Sequence, residues 1–369
     1  MNNPASYDCA IIGGGVAGLS LSILLARQGY SVAIFEKHMY PFQKVCGEYI
    51  SNESSGFFRR LGLPLNEWKL PVISELAFSS AKGYTLNAQL DPGGFGLSRY
   101  KLDHELARLA RESGAAVFEG TTVTGITGEI IATSKTQVSA RLIFGAFGKS
   151  RPLFAYNPDK RPLDNYIGVK YHIRTDWPAH VIGLHLFSKG YCGISQVEDG
   201  KYCLCYLAHS SLLKQAGNSI ANLEEMFLKP NPHLEKLFNE SAFISREPVT
   251  VSNIRFGMRA TSGAGIIRLG DAAGCISPLT GNGISMAAWS ALKLSELTDN
   301  YFRNHNNRNI LLNEYDRLWK KQFASRIRMG KALQYLFSNK SRGHLALRVL
   351  NPLDGIKKKI IASTHGDPF

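Results

Sequence analysis

The chain has 369 residues, 44% of them hydrophobic and 20% charged, with a formal net charge of +14. That size buries a large core, and that balance excludes a disordered or fibrous chain, so one or two globular domains are expected. The six cysteines, at 9, 46, 192, 203, 205 and 275, include no CxxC pair, which argues against a disulfide framework and a zinc site, and no metal is expected.

Tyr7 to Glu36 predict strand, helix and strand. An apolar run from Cys9 to Ile12 leads into Gly13, Gly15 and Gly18, which with Val16 and Ala17 make a GxGxxG turn. A helical stretch from Leu19 to Gln28 follows, closed by Gly29, and Ser31 to Phe35 form the second strand. The longest apolar stretch, Ala10 to Ala26, has no Lys or Arg before it. It reads as the glycine turn and its helix rather than a leader, so a cytoplasmic chain without a transmembrane span is expected. After a loop from Lys37 to Ser51, Leu102, Leu106, Leu109 and Ala110 recur at helical spacing, Gly114 ends that helix, and Ala115 to Phe118 predict a third strand. Another strand is expected over Leu142 to Phe147. Between Tyr166 and Ala208 the pattern changes to short β-rich segments separated by Gly, Pro and Asp turns, as in an inserted antiparallel sheet. A β-rich run from Ile266 to Asp271, a helix from about Gly283 to Leu297 and basic helices complete the chain.

The glycines have separate tasks: the first permits a tight turn, the second lets backbone approach a pyrophosphate, and the third lets helix and strand pack closely. Glu36, at the end of the second strand with Lys37 beside it, is placed for a carboxylate to accept hydrogen bonds from adenosine ribose hydroxyls. Alone this motif says NAD or FAD. Asp271 would emerge at a strand end to bind ribityl or pyrophosphate-side hydroxyls. Pro278, Gly281, Asn282, Gly283 and Ile284 give a rigid, donor-free surface and a glycine turn at a helix start, where backbone amides approach a planar ring and favour negative charge on it. Two distant segments serving one cofactor point to FAD.

With these motifs the chain resembles the flavoprotein superfamily that contains geranylgeranyl reductases and the aromatic hydroxylases typified by para-hydroxybenzoate hydroxylase. The match covers most of the chain to about residue 300: the glycine motif with Glu36, Lys44-Val-Cys-Gly-Glu48, Ser98-Arg99 ahead of Leu102-Asp103, and Gly270-Asp271 through Gly283. The resemblance implies an α/β fold, with a Rossmann-type FAD-binding domain of mixed parallel sheet, an inserted antiparallel substrate sheet over the flavin, and a C-terminal helical tail. It implies that Arg99 contacts FAD, that the turn near Val123 borders the adenine, and that Cys46 lies beside the flavin with Gly47 and Glu48 nearby. A lone cysteine equally suits inert packing. The expected division is 1–74, 98–163 and 260–300 for FAD, 75–97 and 164–259 for substrate, and 301–369 for the basic helices.

One departure bears on the reaction. Where the aromatic hydroxylases have Asp-Gly, used for FAD and NADPH, this chain has Gly145-Ala-Phe-Gly-Lys-Ser-Arg151, and Phe147 accepts no hydrogen bonds through its side chain. There is no second GxGxxG, so NAD(P)H would bind transiently as reductant or another donor would serve. The four tryptophans contain no Trp-x-Trp-x-Ile-Pro stretch, which disfavours tryptophan-halogenase-like chemistry. The expected activity is reduction of alkene bonds in an isoprenoid, polyene or polyketide-derived molecule. An FAD monooxygenase that hydroxylates or epoxidises, and an electron-transfer flavoprotein at a membrane, stay open beside it.

In the insert, Tyr171, His172, His185, Phe187, Tyr191 and Tyr206 suffice to line a cavity for a lipophilic or aromatic substrate, although alternation suits any one of them to core packing. His172 and His185 are the candidate proton donors, with Cys46 the third catalytic candidate. From Arg317 to Lys359 there are twelve Lys and Arg against one acid, Asp354, a net of +11. An apolar stripe at Met329, Ala332, Leu333, Leu336 and Phe337 accompanies them. Such a helix packs on its own core, lies peripherally on the anionic inner face of a membrane, or docks an acidic carrier protein. Nucleic acid is not expected, because stacking-type motifs are missing, and the oligomeric state is left open.

Overall fold

A computed structural model describes residues 4–150, 152, 154, 165–245, 247–305 and 307–369. Arg151 and the expected boundary at 163–164 lie outside them.

The first sheet is built on β1 (Ala5–Ile12), with β2 (Val32–Phe35) and β9 (Gln137–Gly145) parallel on its two sides. Parallel β6 (Ala116–Phe118) lies beyond β2, and β18 (Ile266–Arg268) lies beyond β9, with β17 (Ser262–Gly263) at the edge. The hairpin of β7 (Val123–Thr127) and β8 (Ile130–Thr133) joins β9. Runs such as Val-Ala-Ile-Phe in β2 are buried throughout, as strands covered on both faces must be. Helices α1 (Val16–Arg27), α3 (Arg99–Glu112) and α7 (Gly283–Arg303) cover one face, and α2 (Ser55–Arg60) packs in the same core.

The second sheet holds the β-rich segments expected between Tyr166 and Ala208 together with strands from earlier in the chain, two of which begin within the 1–74 segment expected for FAD. Its order is β14 (Ala242–Phe243), β10 (Tyr166–Arg174), β13 (Tyr202–His209), β12 (Gly190–Gln196), β11 (Val181–Phe187), β4 (Val72–Ser79), β5 (Thr85–Gly96) and β3 (Tyr49–Ser51). β15 (Val249–Ile254) also pairs with β10. The pairings are antiparallel except β4 with β11. Short β16 (Gly257–Met258) and β19 (Gly274–Cys275) pair separately. One face carries α4 (Ser210–Gln215), α5 (Ile220–Leu223) and α6 (Pro232–Glu240), and the other packs on α8 (Arg308–Phe337), α9 (Lys340–Leu350) and α10 (Asp354–Thr364).

Local differences from the sequence reading have physical causes. The expected strand through Asp271 stops at Arg268, because Gly270 takes φ +58° and starts a tight turn. The strand expected over 142–147 begins at Gln137 and ends at Gly145, and the helix from Gly283 continues to Arg303. Among the described residues no helix is long and apolar enough to cross a membrane.

Candidate active site

At the end of β1 the chain turns sharply. Gly13 has φ +107°, and a Cβ built there would meet the Ala146 carbonyl oxygen at 2.5 Å, so only glycine fits this approach to the end of β9. Gly15 caps α1 without a side-chain hydrogen bond, and no acid occupies the first turn, leaving a positive helix end with unused amides. Facing it are two cations: a Cβ on Gly15 would lie 3.5 Å from Arg99 Nη2 and 3.7 Å from Lys44 Nζ. Asp103 aims both. It accepts from Arg99 Nε at 2.8 Å and Nη2 at 2.6 Å, and lies 3.1 Å from Lys44 Nζ. Burial works to raise the Asp103 pKa, but Arg99 and Lys44 prevail and hold it below the usual range. Helix end, arginine and lysine together frame an anion cradle suited to a pyrophosphate.

Glu36 lies at the strand end as expected, partly engaged with the glycine loop. Its Oε2 accepts from Gly14 N at 3.0 Å and its Oε1 from His38 N at 3.1 Å, which fixes the carboxylate and leaves lone pairs for ribose hydroxyls. The Tyr40 hydroxyl donates to the Gly14 carbonyl at 2.6 Å. Lys37 is exposed, and Val123 is buried in the small cluster containing Phe35.

The second cofactor segment meets the first across the helices. A Cβ on Gly270 would lie 3.2 Å from Ala17 Cβ and 3.6 Å from Ala287 Cβ, so the turn bearing Asp271 is wedged between the starts of α1 and α7. The Asp271 carbonyl accepts from Arg259 at 3.2 Å. Pro278 opens a further turn, Gly281 takes φ +72°, and Asn282 caps α7 without a side-chain cap bond. No acid follows in the first turn, and Asn282 Oδ1 is buried without a hydrogen-bond partner among the described residues. These unused groups and the anion cradle are of a chemistry that fits a flavin dinucleotide, for which Gly13, Gly15, Val16, Ala17, Gly18, Glu36, Arg99 and Lys44 would hold the phosphates and ribose, and Asp271, Pro278, Gly281, Asn282, Gly283 and Ile284 would hold the flavin half.

The loop from Lys44 to Glu48 bridges the two sheets. Glu48 is fully buried, with Oε1 accepting from Lys170 Nζ at 2.7 Å and Arg99 N at 2.9 Å, and Oε2 2.6 Å from His172 Nε2. Lys170 and His172, two apart on β10, share a face, and Lys170 also donates to Gln43 Oε1 at 2.7 Å. Burial opposes the Glu48 charge, yet the Lys170 ammonium and His172 hold its pKa down at about 2, while Glu48 raises Lys170 against burial. Half-buried Cys46 accepts at its carbonyl from Cys203 Sγ at 3.2 Å, and Gly47 likewise from Ser195 at 3.1 Å. Glu48, His172 and Cys203 bring three ligand-type atoms within 4.8 Å of one another, but a metal there would face the Lys170 ammonium, and burial keeps the Cys203 thiol protonated. His185 lies elsewhere. Its Nδ1 is 2.8 Å from Ser79 Oγ, its ring stacks on His233 at 5.2 Å, and burial with that neighbour pushes its pKa down to about 3.

Between β4, β5 and β11 on one side and α8 to α10 on the other runs a half-open cavity of about 130 Å³, ending at Tyr49 and the Pro278–Gly281 turn. Its walls are apolar, with Leu76, Phe78, Leu86, Leu184, Leu333 and Phe337 prominent, and Lys357 is the cation in its lining. Of the aromatic residues expected to line a cavity, Tyr191 lies on the cavity side, in one cluster with Phe78, Leu86 and Phe337. Tyr171, Phe187 and Tyr206 instead pack under α4 to α6, and both tyrosine hydroxyls donate to Glu224. Alternation places them on the opposite face of the sheet.

Comparison with known proteins agrees with this geometry. Residues 6–151 match the family described as FAD binding domain. The chain is an FAD-dependent oxidoreductase. The oxidoreductase is 24% identical over 360 residues to conditioned medium factor receptor 1 of Dictyostelium discoideum, covering 89% of this chain and 70% of that protein. It is 24% identical over 356 residues to digeranylgeranylglycerophospholipid reductase 1 of Methanococcoides burtonii, covering 87% and 81%. The solved geranylgeranyl bacteriochlorophyll reductase-like protein of Thermoplasma acidophilum superposes with a TM-score of 0.80 at 17% identity, over 100% of this chain and 97% of that one. A flavin-dependent brominase gives the same TM-score of 0.80 at 17% identity, over 98% and 93%. The fold family read from the motifs is thus shown, with reductases, halogenases and monooxygenases among its members.

In the oxidoreductase the two glycine segments converge, and His172 and Cys46 lie on one loop-and-strand junction while His185 does not. Tyr49 and Lys170 were not singled out in the sequence, and Lys44 entered only as the first residue of the Lys44–Glu48 motif. Lys170-x-His172 inside an otherwise apolar strand, two residues apart on one face, is the signal that could have found the cluster.

Proposed function

We propose that the enzyme reduces carbon–carbon double bonds in a lipophilic polyene, isoprenoid or polyketide-derived substrate. The observation that carries this is the apolar cavity ending at the Pro278–Gly281 turn, a wall suited to hydrocarbon and poorly suited to a small charged acid. Bound FAD supplies the two-electron chemistry. The chain's own residues hold the reacting part of the substrate against that turn and exclude water from it through Leu333, Phe337 and their neighbours, while His172, beside Glu48 and outside the cavity lining, stays the candidate for proton movement. The division of labour, FAD on 1–74, 98–163 and 260–300 and substrate on 75–97 and 164–259, belongs to the same reading, as does transient reduction by NAD(P)H. Anaerobic incubation of the reduced enzyme with candidate polyenes should yield product heavier by two hydrogen atoms per bond. Product that instead carries an atom from labelled oxygen gas would make it a monooxygenase.

The partner in this reading is an anionic membrane surface. Leu333 and Phe337 of the expected stripe face the cavity, so that part of the tail packs on the protein itself. The outer faces of α9 and α10 expose Leu345, Val349, Leu353 and Ile356 among Arg342, Arg348, Lys358 and Lys359. The acid there, Asp354, is paired with Lys357 at 2.7 Å. An apolar row flanked by cations suits a bilayer carrying anionic lipid, and helices that face the cavity inside and lipid outside give a lipophilic substrate a short path.

A further inference from the structure

The cavity is apolar along its walls and polar at the end beside the flavin turn. Buried polar atoms without a hydrogen-bond partner among the described residues gather there, namely the Tyr49 hydroxyl, Glu53 Oε1, Asn282 Oδ1 and His365 Nε2. The contacts around them fix the neighbourhood. The Tyr49 ring lies against the turn, 3.2 Å from where a Cβ on Gly281 would be. Asn282 Nδ2 donates to the Thr364 carbonyl, Gly366 N donates to Glu53 Oε2, and Phe369 N donates to the Glu53 carbonyl at 3.1 Å. Residues 364–369 are thereby drawn to the flavin turn, and Tyr49, Thr364 and His365 all border the cavity.

Tyr49 and His365 are among the residues that line the cavity, whereas Asn282 is not. Tyr49 is 7% exposed, and burial together with the Glu53 carboxylate raises its pKa, so its hydroxyl stays a donor. His365 Nδ1 is 2.9 Å from the Ile361 carbonyl and 3.1 Å from Thr364 Oγ1, whose own proton goes to that carbonyl at 2.7 Å. A carbonyl accepts only, so Nδ1 carries the proton in neutral His365 and Nε2 is left as an acceptor. One donor and one acceptor, both buried and unused, end an otherwise hydrocarbon-like cavity, and leaving such groups unpaired is unfavourable.

We propose that Tyr49 and His365 bind an oxygen function of the substrate, so the enzyme takes a lipophile whose reacting region bears a hydroxyl or carbonyl rather than a plain hydrocarbon alkene. Tyr49 donates to that oxygen, and His365 accepts from it when it is a hydroxyl. A carbonyl conjugated to the double bond also withdraws electrons from it, which makes hydride acceptance easier, and a hydrogen bond from Tyr49 to the carbonyl oxygen strengthens that withdrawal. The inference rests on the cavity being the substrate site of the proposed reductase, but it is read by binding and needs no turnover.

The test uses the full chain loaded with oxidised FAD and three probes of matched size: para-pentylphenol, pentyl phenyl ketone and hexylbenzene. Binding is followed by calorimetry and by the shift of the flavin visible band. The phenol and the ketone should bind about 3- to 10-fold more tightly than the alkylbenzene, the range set by one or two net hydrogen bonds. Tyr49→Phe should remove the advantage of both, and His365→Phe that of the phenol alone, with alkylbenzene affinity unchanged as the sign of an intact cavity. Should Tyr49→Phe not fold, His365→Phe carries the test. Equal binding of all three probes by the parent enzyme, or an advantage that survives these substitutions, overturns the inference. Failure to reduce any alkene while the advantage persists would overturn only the proposed reaction.

Discussion

Replacing Lys170 by Met probes the bridge between the sheets. The substitution preserves most of the side-chain volume and removes the ammonium 2.7 Å from a carboxylate that is fully buried. Removing one partner of a buried ion pair costs about 3–5 kcal/mol, and because Glu48 keeps His172 and the Arg99 amide, about 3 kcal/mol is expected. The dependence on pH has a definite sign. In the parent protein the Glu48 pKa is lowered and that of Lys170 is raised. The stabilisation from Glu48 is therefore complete above its unfolded value of about 4.3 and lost as pH falls toward 2, while that from Lys170 is complete below about 10.4 and lost as pH rises past its raised value. Between pH 5 and 9, roughly, the pair contributes a constant amount. In Lys170→Met the Glu48 pKa rises with the loss of the ammonium, so the deficit should shrink as pH falls from about 7 to 5, when the carboxyl protonates. Urea unfolding followed by intrinsic fluorescence, at fixed free FAD, measures both variants and Glu48→Gln/Lys170→Met, which should cost less than the two single changes together. A deficit below about 1 kcal/mol, or one independent of pH, would refute the reasoning.

The cofactor cradle makes its own predictions. Arg99→Gln should weaken FAD binding at least 10-fold or so, from the loss of a charge-assisted contact, read by titrating apoprotein with FAD and following flavin fluorescence, and unchanged affinity would remove Arg99 from the phosphate site. Gly13→Ala should purify colourless, because its Cβ meets the Ala146 carbonyl oxygen at 2.5 Å on a backbone with φ +107°, and a yellow variant with normal FAD content would contradict the close approach. Co-sedimentation with vesicles should favour anionic over neutral lipid, fall with salt and weaken in Lys358→Glu/Lys359→Glu. Equal binding to neutral vesicles, or capture by an acidic carrier protein in their place, would count against the membrane.

The cofactor half of the molecule was legible because its signals are local. Gly13, Gly15, Gly18 and Glu36 fall within one strand–helix–strand unit, and the Pro278–Gly283 turn announces the start of α7 by residue type alone. The substrate half was not. Lys170 reads as a solvent-facing residue of a strand until Glu48, 122 positions earlier, is brought beside it. Tyr171, Phe187 and Tyr206 were correctly placed in strands, but alternation cannot say which face of a sheet meets helices and which meets ligand. The answer came from α8 to α10, whose docking against β4, β5 and β11 follows no local motif.

Glu48 gives the molecule a mechanical property as well as a chemical one. A single buried carboxylate fastens the Lys44–Glu48 loop, the first residue of α3 and β10, so a hinge opening between the two sheets would have to break a buried ion pair. The carboxylate thus resists separation of the two sheets. The flank formed by α9 is fastened by other means, uncharged hydrogen bonds that join Ser80 Oγ to His344 Nδ1 at 3.0 Å and Asn351 Nδ2 to the Tyr84 hydroxyl at 2.9 Å.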